Sequence, residues 1–211
     1  HVAWDIGAAD VARRLSAILD APAVLSRFSR LLIDPNRALD HPTLVIEESD
    51  GVVVPGKRNL PPTEIEHRVA HYYRPYHNAI STQLQTLRAG GRVPAVAAIH
   101  SFTPVMDGVQ RPWHLGLLWN QDPRLRDALL RLLSDDPSVV VGDNEPYTGR
   151  THNHTADSHG TDLGLPHISL EVRQDLIDTH HEAERWAERL GDLLRQVIAD
   201  QSLFTIRHYG R

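Results

Sequence analysis

Val93 to Pro104 reads VPAVAAIHSFTP, a short apolar run that delivers a histidine and then a hydroxyl-bearing, proline-ended turn. Val93 to Ile99 is fit for a strand, and a helical pattern that stops at Gly90-Gly91 precedes it. Downstream, Trp113 to Trp119 and Ile168 to Val172 are further β-prone runs, and Ser138 to Val141 a shorter one. Helical spacing appears between and around them. Ile6 to Leu19 forms a first helix closed by Ala21-Pro22, Pro123 to Leu133 a helix with proline in its first turn, and Glu182 to Ile198 a last helix with Trp186, Leu190, Leu194 and Ile198 on one face. Strands alternating with helices predict a largely parallel sheet with helices on both faces, which binds ligands at the carboxyl ends of its strands. His100 follows one such strand, and Glu171 lies near the end of another.

The longest helical pattern carries Ile65, Val69, Tyr72, Tyr76, Ile80, Leu84 and Leu87 on one face. Thr63 and Glu66 have capping-box spacing at its start, and Pro75 predicts a kink within it. Ala23 to Phe28, Leu31 to Ile33 and Thr43 to Ile46 read as short strands or extended segments, and Ser49 to Pro62, rich in turn residues, as a surface loop. Gly142 to Gly164 is polar and aperiodic, with three histidines. A loop of that length is usually functional or disordered, and its histidines favour function.

With 211 residues, of which 41% are hydrophobic, the chain reads as one domain, residues 1–211, with a single sizeable core. No apolar run approaches the ~20 residues of a membrane-crossing helix, so no membrane partner is expected. A net charge of −5 with interspersed signs offers no basic stripe for nucleic acid and points to a small ligand instead. The absence of cysteine excludes disulfides and thiolate chemistry, leaving imidazole and carboxylate as metal ligands, and 14 histidines make that feasible. No secretory leader is visible, which predicts a cytoplasmic protein. The chain opens at His1 without an initiator methionine and reads as a fragment.

Several residues could carry chemistry. A zinc ion held by about three ligands lowers bound water's pKa to ~7, enough to attack an amide. His100 is placed to be such a ligand, although position alone favours a buried histidine bonded to a backbone carbonyl. Glu171, between Leu170 and Val172, would carry a raised pKa if unpaired and would suit a general base; it could equally pair with Arg173 on the same strand face. Arg30, Asn36 and Arg37 could polarise a carbonyl and clamp a carboxylate, or could be surface arginines paired with Asp34 or Asp40. His67 and His71 have chelating spacing, but lack the glutamate of a metalloprotease helix and read as a solvated face. His152, His154 and His159, with Asp157 and Asp162, could build a metal site or belong to a polar loop over a pocket. His180-His181 are expected to cover the start of the last helix.

Six strings occur in order: SRLLIDPNR (29–37), RPYH (74–77), IHSFTP (99–104), RPW (111–113), NEPY (144–147) and SLEVRQDL (169–176). Together they resemble the N-formylglutamate amidohydrolases across nearly the whole chain. The resemblance implies a three-layer α/β/α fold around a mixed, mostly parallel sheet, similar to zinc carboxypeptidases and aspartoacylases. It further implies zinc-dependent hydrolysis of N-formyl-L-glutamate, a small N-acyl amino acid, to formate and glutamate, and a place in histidine degradation. Another divalent metal with similar ligands would serve. His100 matches a zinc ligand and Glu171 the general base and proton donor. Arg30 corresponds to the carbonyl-polarising position, and Asn36 and Arg37 to positions that hold the substrate carboxylate. His154 and His159 fall in a segment similar to the family's substrate-facing one. Asp5, in HVAWDIGA, matches a recurrent acidic position and is the expected second ligand, with His1 a neighbouring candidate. The family carries a further ligand on an upstream His-bearing strand, and this chain is expected to begin after it. Two other readings stay open: hydrolysis of a different N-acyl amino acid or small peptide, and a noncatalytic metal- or ligand-binding protein of the same fold.

Overall fold

Residues 2–56 and 60–210 are described by the computed structural model. Among them the chain runs α1 (Ala8–Leu19), β1 (Glu48–Ser49), β2 (Val52–Val53), α2 (Pro62–Arg68), α3 (Arg74–Ala89), β3 (Val96–Phe102), β4 (Val105–Met106), β5 (Val109–Gln110), β6 (Leu115–Leu118), α4 (Arg124–Leu133), β7 (Val141–Asp143), α5 (Gly149–His152), α6 (His154–His159), β8 (His167–Arg173) and α7 (His180–Ala199). Four of these strands form the central sheet in the order β3-β8-β6-β7. β3 is parallel to β8 and β6 to β7, while β6 and β8 are antiparallel, so the sheet is mixed and mostly parallel.

Alternation along β8 separates two environments. Ile168, Leu170 and Val172 are fully buried and join Leu115 and Leu117 of β6 in the main core, which α1, α4 and α7 cover with Val11, Leu15, Leu129, Ala187 and Leu190. Ser169 and Glu171 point to the other face, against α6 and then α3. The result is the expected three layers of helix, sheet and helix. A smaller cluster of Ile33, Leu44 and Tyr73 pins residues 30–45 to the long helical arm.

The arm differs from its sequence reading at both marked points. It starts at Pro62 with Pro61 as N-cap, and no side chain caps it, because proline's fixed φ already suits a first helical position; Thr63 therefore caps nothing. At Pro75 the expected kink takes the form of a five-residue π turn, Val69–Tyr73, which joins α2 to α3 where proline's missing N–H interrupts the ladder.

Other expectations are corrected similarly. Ala23 to Phe28, Leu31 to Ile33 and Thr43 to Ile46 enter no sheet; the last two segments are tied together instead by a backbone bond, from Asp34 N–H to the Leu44 carbonyl at 2.8 Å. The loop from Ser49 contains one turn of hairpin, β1–β2, closed by Asp50-Gly51 with both φ angles positive. The strand expected at 138–141 lies at Val141–Asp143. The polar stretch 142–164 is not a loop, because it folds into α5, α6 and a 3-10 turn at Thr161–Leu163. α7 begins at His180 because the Thr179 hydroxyl accepts from Glu182 N–H, which puts His180 and His181 inside its first turn.

Because Leu170 is fully buried between two strands and a helix layer, Leu170→Ala is expected to cost about 3 kcal/mol of stability, read as a lower midpoint in urea unfolding.

Candidate active site

In the parallel register of β3 and β8, His100 stands opposite Glu171, and in the antiparallel register of β6, Gly116 does. Paired residues share a face, so His100 and Glu171 are side by side on the surface away from the main core. A side chain at Gly116 would run into the Glu145 carbonyl, so glycine lets that backbone lie beside Glu171. Asp5 arrives from the segment before α1. Gly7 adopts a left-handed φ of 77° directly against the backbone of Ile177, which a side chain would obstruct. Two neighbours on β3 then hold the incoming segment from opposite faces: Ser101 Oγ donates to the Ile6 carbonyl at 2.7 Å, and His100 Nδ1 lies 2.7 Å from Asp5 Oδ2.

This arrangement sets the charges. Burial, aided by the charge of neighbouring Asp5 and opposed by the pull of His100, Arg30 and Arg111, brings the pKa of Glu171 up to about 7. For His100 burial acts downward, but the hydrogen bond and charge of Asp5, with Glu171, outweigh it and lift the pKa to about 9. Asp5 is lowered: burial pushes it up, and its bond and attraction to His100, aided by Arg30, prevail. Arg173 does not pair with Glu171; it binds Asp175 at 2.7 Å and three backbone carbonyls from Arg111 to Trp113.

Asp5, His100 and Glu171 open on a cavity of 1170 Å³ that also takes in Arg30, Asn36, Arg37 and His152. Arg30 binds Asp34 Oδ2 at 2.6 Å, as the blander sequence reading had it, yet this pair is half-buried in the cavity wall. Arg37 donates to the Thr43 hydroxyl and the Asn36 carbonyl. Asn36 Oδ1 accepts from Thr155 N–H at 2.9 Å, and its Nδ2 donates to the His152 carbonyl. His154 and His159 are not in the cavity wall: His154 Nε2 meets the Tyr73 hydroxyl at 2.7 Å, and His159 Nε2 meets His77 Nδ1 at 2.9 Å. His67 and His71 stack on each other on an exposed helix face. His1 lies outside the described residues.

Sequence reasoning passed over His41 and Tyr147, which also line the cavity. Tyr147 is held by Arg111, whose Nη1 donates to its hydroxyl at 2.8 Å. The strings RPW and NEPY contain this pair, but nothing in either string tells that they meet.

Comparison with known proteins decides the family. The family model described as N-formylglutamate amidohydrolase matches residues 1–178. The chain belongs to the N-formylglutamate amidohydrolase family. A crystal structure of an Agrobacterium tumefaciens gene product is similar over 96% of this chain and 80% of its own, with 35% identity and a TM-score of 0.92. The N-formylglutamate amidohydrolase of Ralstonia eutropha shares the fold, with a TM-score of 0.58 at 19% identity over 90% of this chain and 86% of its own. A comparison with curated proteins returned no match. Membership in this family makes the chain an amide-hydrolysing enzyme for a small-molecule substrate. Among the described residues no helix is long and apolar enough to cross a membrane.

The zinc implied by the resemblance can be tested against the donors present. His100 and Asp5 offer a nitrogen and a carboxylate oxygen facing each other at the cavity wall, with side chains 23% and 29% exposed, and both donor types suit zinc. Their number falls short of a full set. Among the described residues no group of three or more histidines and acids is placed to hold a metal, whereas catalytic zinc takes about three protein ligands. The pair fits as part of a ligand set.

In metal-free protein the sign of the pH dependence follows from the two raised values. His100 binds its proton more tightly folded than unfolded, so its stabilisation is complete below its ordinary value of 6.5 and is lost as pH rises through about 9. Glu171 acts in the same direction and loses its share as pH rises through about 7. The urea midpoint of chelator-treated protein should therefore fall as pH rises from about 4.5 to 9, through Glu171 first and His100 above pH 6.5, and Asp5→Asn should flatten the upper part of that slope while lowering the His100 pKa measured by NMR titration.

Proposed function

We propose that this chain hydrolyses N-formyl-L-glutamate to formate and glutamate in a zinc-dependent reaction, with His100 and Asp5 as two of the metal's ligands. The observation that carries this reading is Glu171: a buried carboxyl group, unpaired with the arginine nearest it in sequence and raised to about 7, at the wall of a cavity whose facing polar groups include two guanidiniums. A base poised near neutral pH beside anion-binding groups suits cleavage of an acylated amino acid.

Zinc, when bound, supplies Lewis-acid polarisation of the water and of the formyl carbonyl. Glu171 takes the proton from the attacking water and returns it to the leaving amine nitrogen, so one carboxyl group serves as base and then as acid. Arg30 has its guanidinium oriented by Asp34 and directs further N–H donors at the oxygen on which charge develops. Arg37, with no carboxylate partner among the described residues, grips the substrate carboxylate, and Asn36 adds the amide hydrogen it does not spend on His152. Burial lowers the Arg37 pKa, and neighbouring Arg30 adds to the effect, against a partly offsetting pull from Asp34, so an incoming carboxylate relieves a charge costly to hold.

A second substrate reading has its own support. A cavity of 1170 Å³ exceeds the ~300–1,000 Å³ common for small-ligand pockets and extends along α1 and the outer edge of β3, where it is lined by Leu15, Leu84 and Val96. A larger N-acyl group or a short peptide fits that extension.

Zinc-loaded protein should release formate from N-formylglutamate, and Glu171→Gln should reduce kcat by about 10²–10⁴-fold. Absence of formate release, or normal turnover by Glu171→Gln, overturns the assignment. A panel of N-acyl amino acids compared by kcat/KM should rank N-formylglutamate first; a bulkier acyl group at the top would favour the second reading.

A further inference from the structure

The string RPYH contains a histidine to which neither catalysis nor ligand binding has assigned work, and the two histidines of α6 expected to face substrate do not reach the cavity. These residues form one device. His77 Nε2 lies 2.9 Å from the Pro35 carbonyl, and a carbonyl only accepts, so Nε2 carries the proton. The other ring nitrogen, Nδ1, lies 2.9 Å from His159 Nε2 and accepts from it when His77 is neutral. Burial is the main cause that pulls the His77 pKa down to about 4 and keeps the ring neutral. One helical turn earlier, the Tyr73 hydroxyl donates its proton to the Arg37 carbonyl at 2.9 Å and so accepts from His154 Nε2 at 2.7 Å.

Two parallel relays thus run from α6 across the long helical arm to one short turn. His159 acts through His77 on the carbonyl of residue 35, and His154 acts through Tyr73 on that of residue 37. The residue between those carbonyls is Asn36, whose side chain is itself tied to Thr155 and His152. The His77 and His159 rings are within 20° of parallel with centroids 5.1 Å apart, as an N–H···N bond between nearly coplanar imidazoles requires.

We propose that His77 and Tyr73, braced by His159 and His154, are positioning residues that hold the Pro35–Arg37 turn so that Arg37 presents its guanidinium to the substrate carboxylate. This deepens the proposed function and rests on it for the role of Arg37. No member of the relay touches substrate. RPYH is then the part of the helical arm that reaches the anion-binding turn, and α6 supplies its backing.

Hydrogen–deuterium exchange tests the device without any substrate. His77→Ala should speed exchange across residues 31–39 by about tenfold or more, leave residues 167–173 unchanged, and be largely rescued by His77→Gln, whose amide can still donate to the Pro35 carbonyl. Should His77→Ala loosen the whole molecule, Tyr73→Phe, which removes one hydroxyl, carries the same test. Unchanged exchange at 31–39 in both variants overturns the proposal. In turnover, His77→Ala should raise KM for N-formylglutamate about tenfold with kcat within about threefold, and should add little to KM in an Arg37→Ala background. Full additivity of the two substitutions would also overturn it. If wild-type protein fails to turn over N-formylglutamate, the substrate assignment fails by itself, and the exchange result still decides whether the relay holds the turn.

Discussion

Glu171 sits in the interior of the sheet, flanked by His100 on one neighbouring strand and Gly116 on the other, and this burial is what the rest of the site answers to. A carboxyl group there is expensive to ionise, which makes it a proton acceptor matched to neutral pH. Its neighbours share charge without neutralising it. His100 is committed to Asp5, Arg30 to Asp34 and Arg173 to Asp175, while Arg111 is turned to the Tyr147 hydroxyl, so each of these cations has a partner other than Glu171. The same strand supplies the core on its opposite face through Ile168, Leu170 and Val172, and the position of the base is therefore as firm as the hydrophobic packing beneath it.

The polar end of the cavity depends on a different support. Residues 30–37 form no regular element, so their conformation comes from tertiary bonds: Arg68 to the Leu32 carbonyl, the buried Ile33 and Leu44 against Tyr73, and the histidine relays behind Asn36. A loop held this way can present guanidiniums at fixed positions without a strand or helix of its own. The π turn before Pro75 is part of that support, because Tyr73 closes it and His77 follows one helical turn later.

Much of this was legible in the sequence, and the illegible parts share a cause. Periodicity located the helices around 8–19, 124–133 and 180–199 and the strand that bears Glu171, because alternation and helical spacing are local properties, but it set the strand before His100 three residues early, at Val93 to Ile99 instead of Val96–Phe102. The six ordered strings pointed to the family, which the family model bears out. Register was not local: nothing in IHSFTP or SLEVRQDL says that His100 pairs with Glu171 rather than with a residue one step away. Extended runs such as Thr43 to Ile46 looked like strands because β-prone composition does not reveal whether a partner edge is available. The polar stretch 142–164 looked like a loop because α5 and α6 are too short to show a period. The backing role of His154 and His159 required knowing that His77 and Tyr73 stand opposite them, a contact across more than seventy residues.

The grip of β3 on the segment before α1 has a mechanical side. Consecutive residues of one strand, facing opposite ways, hold consecutive residues of that segment: His100 takes Asp5 on the cavity face and Ser101 takes Ile6 on the other. The segment then turns at Gly7 and becomes α1, which lies on α7 with Ile18 seated against Gly191. The carboxylate that tunes His100 is thus the end of a lever whose long arm is a core helix. Only the turn at Gly7 separates that helix from Asp5, so the geometry of the Asp5–His100 contact is set by how α1 packs on α7 and on β3.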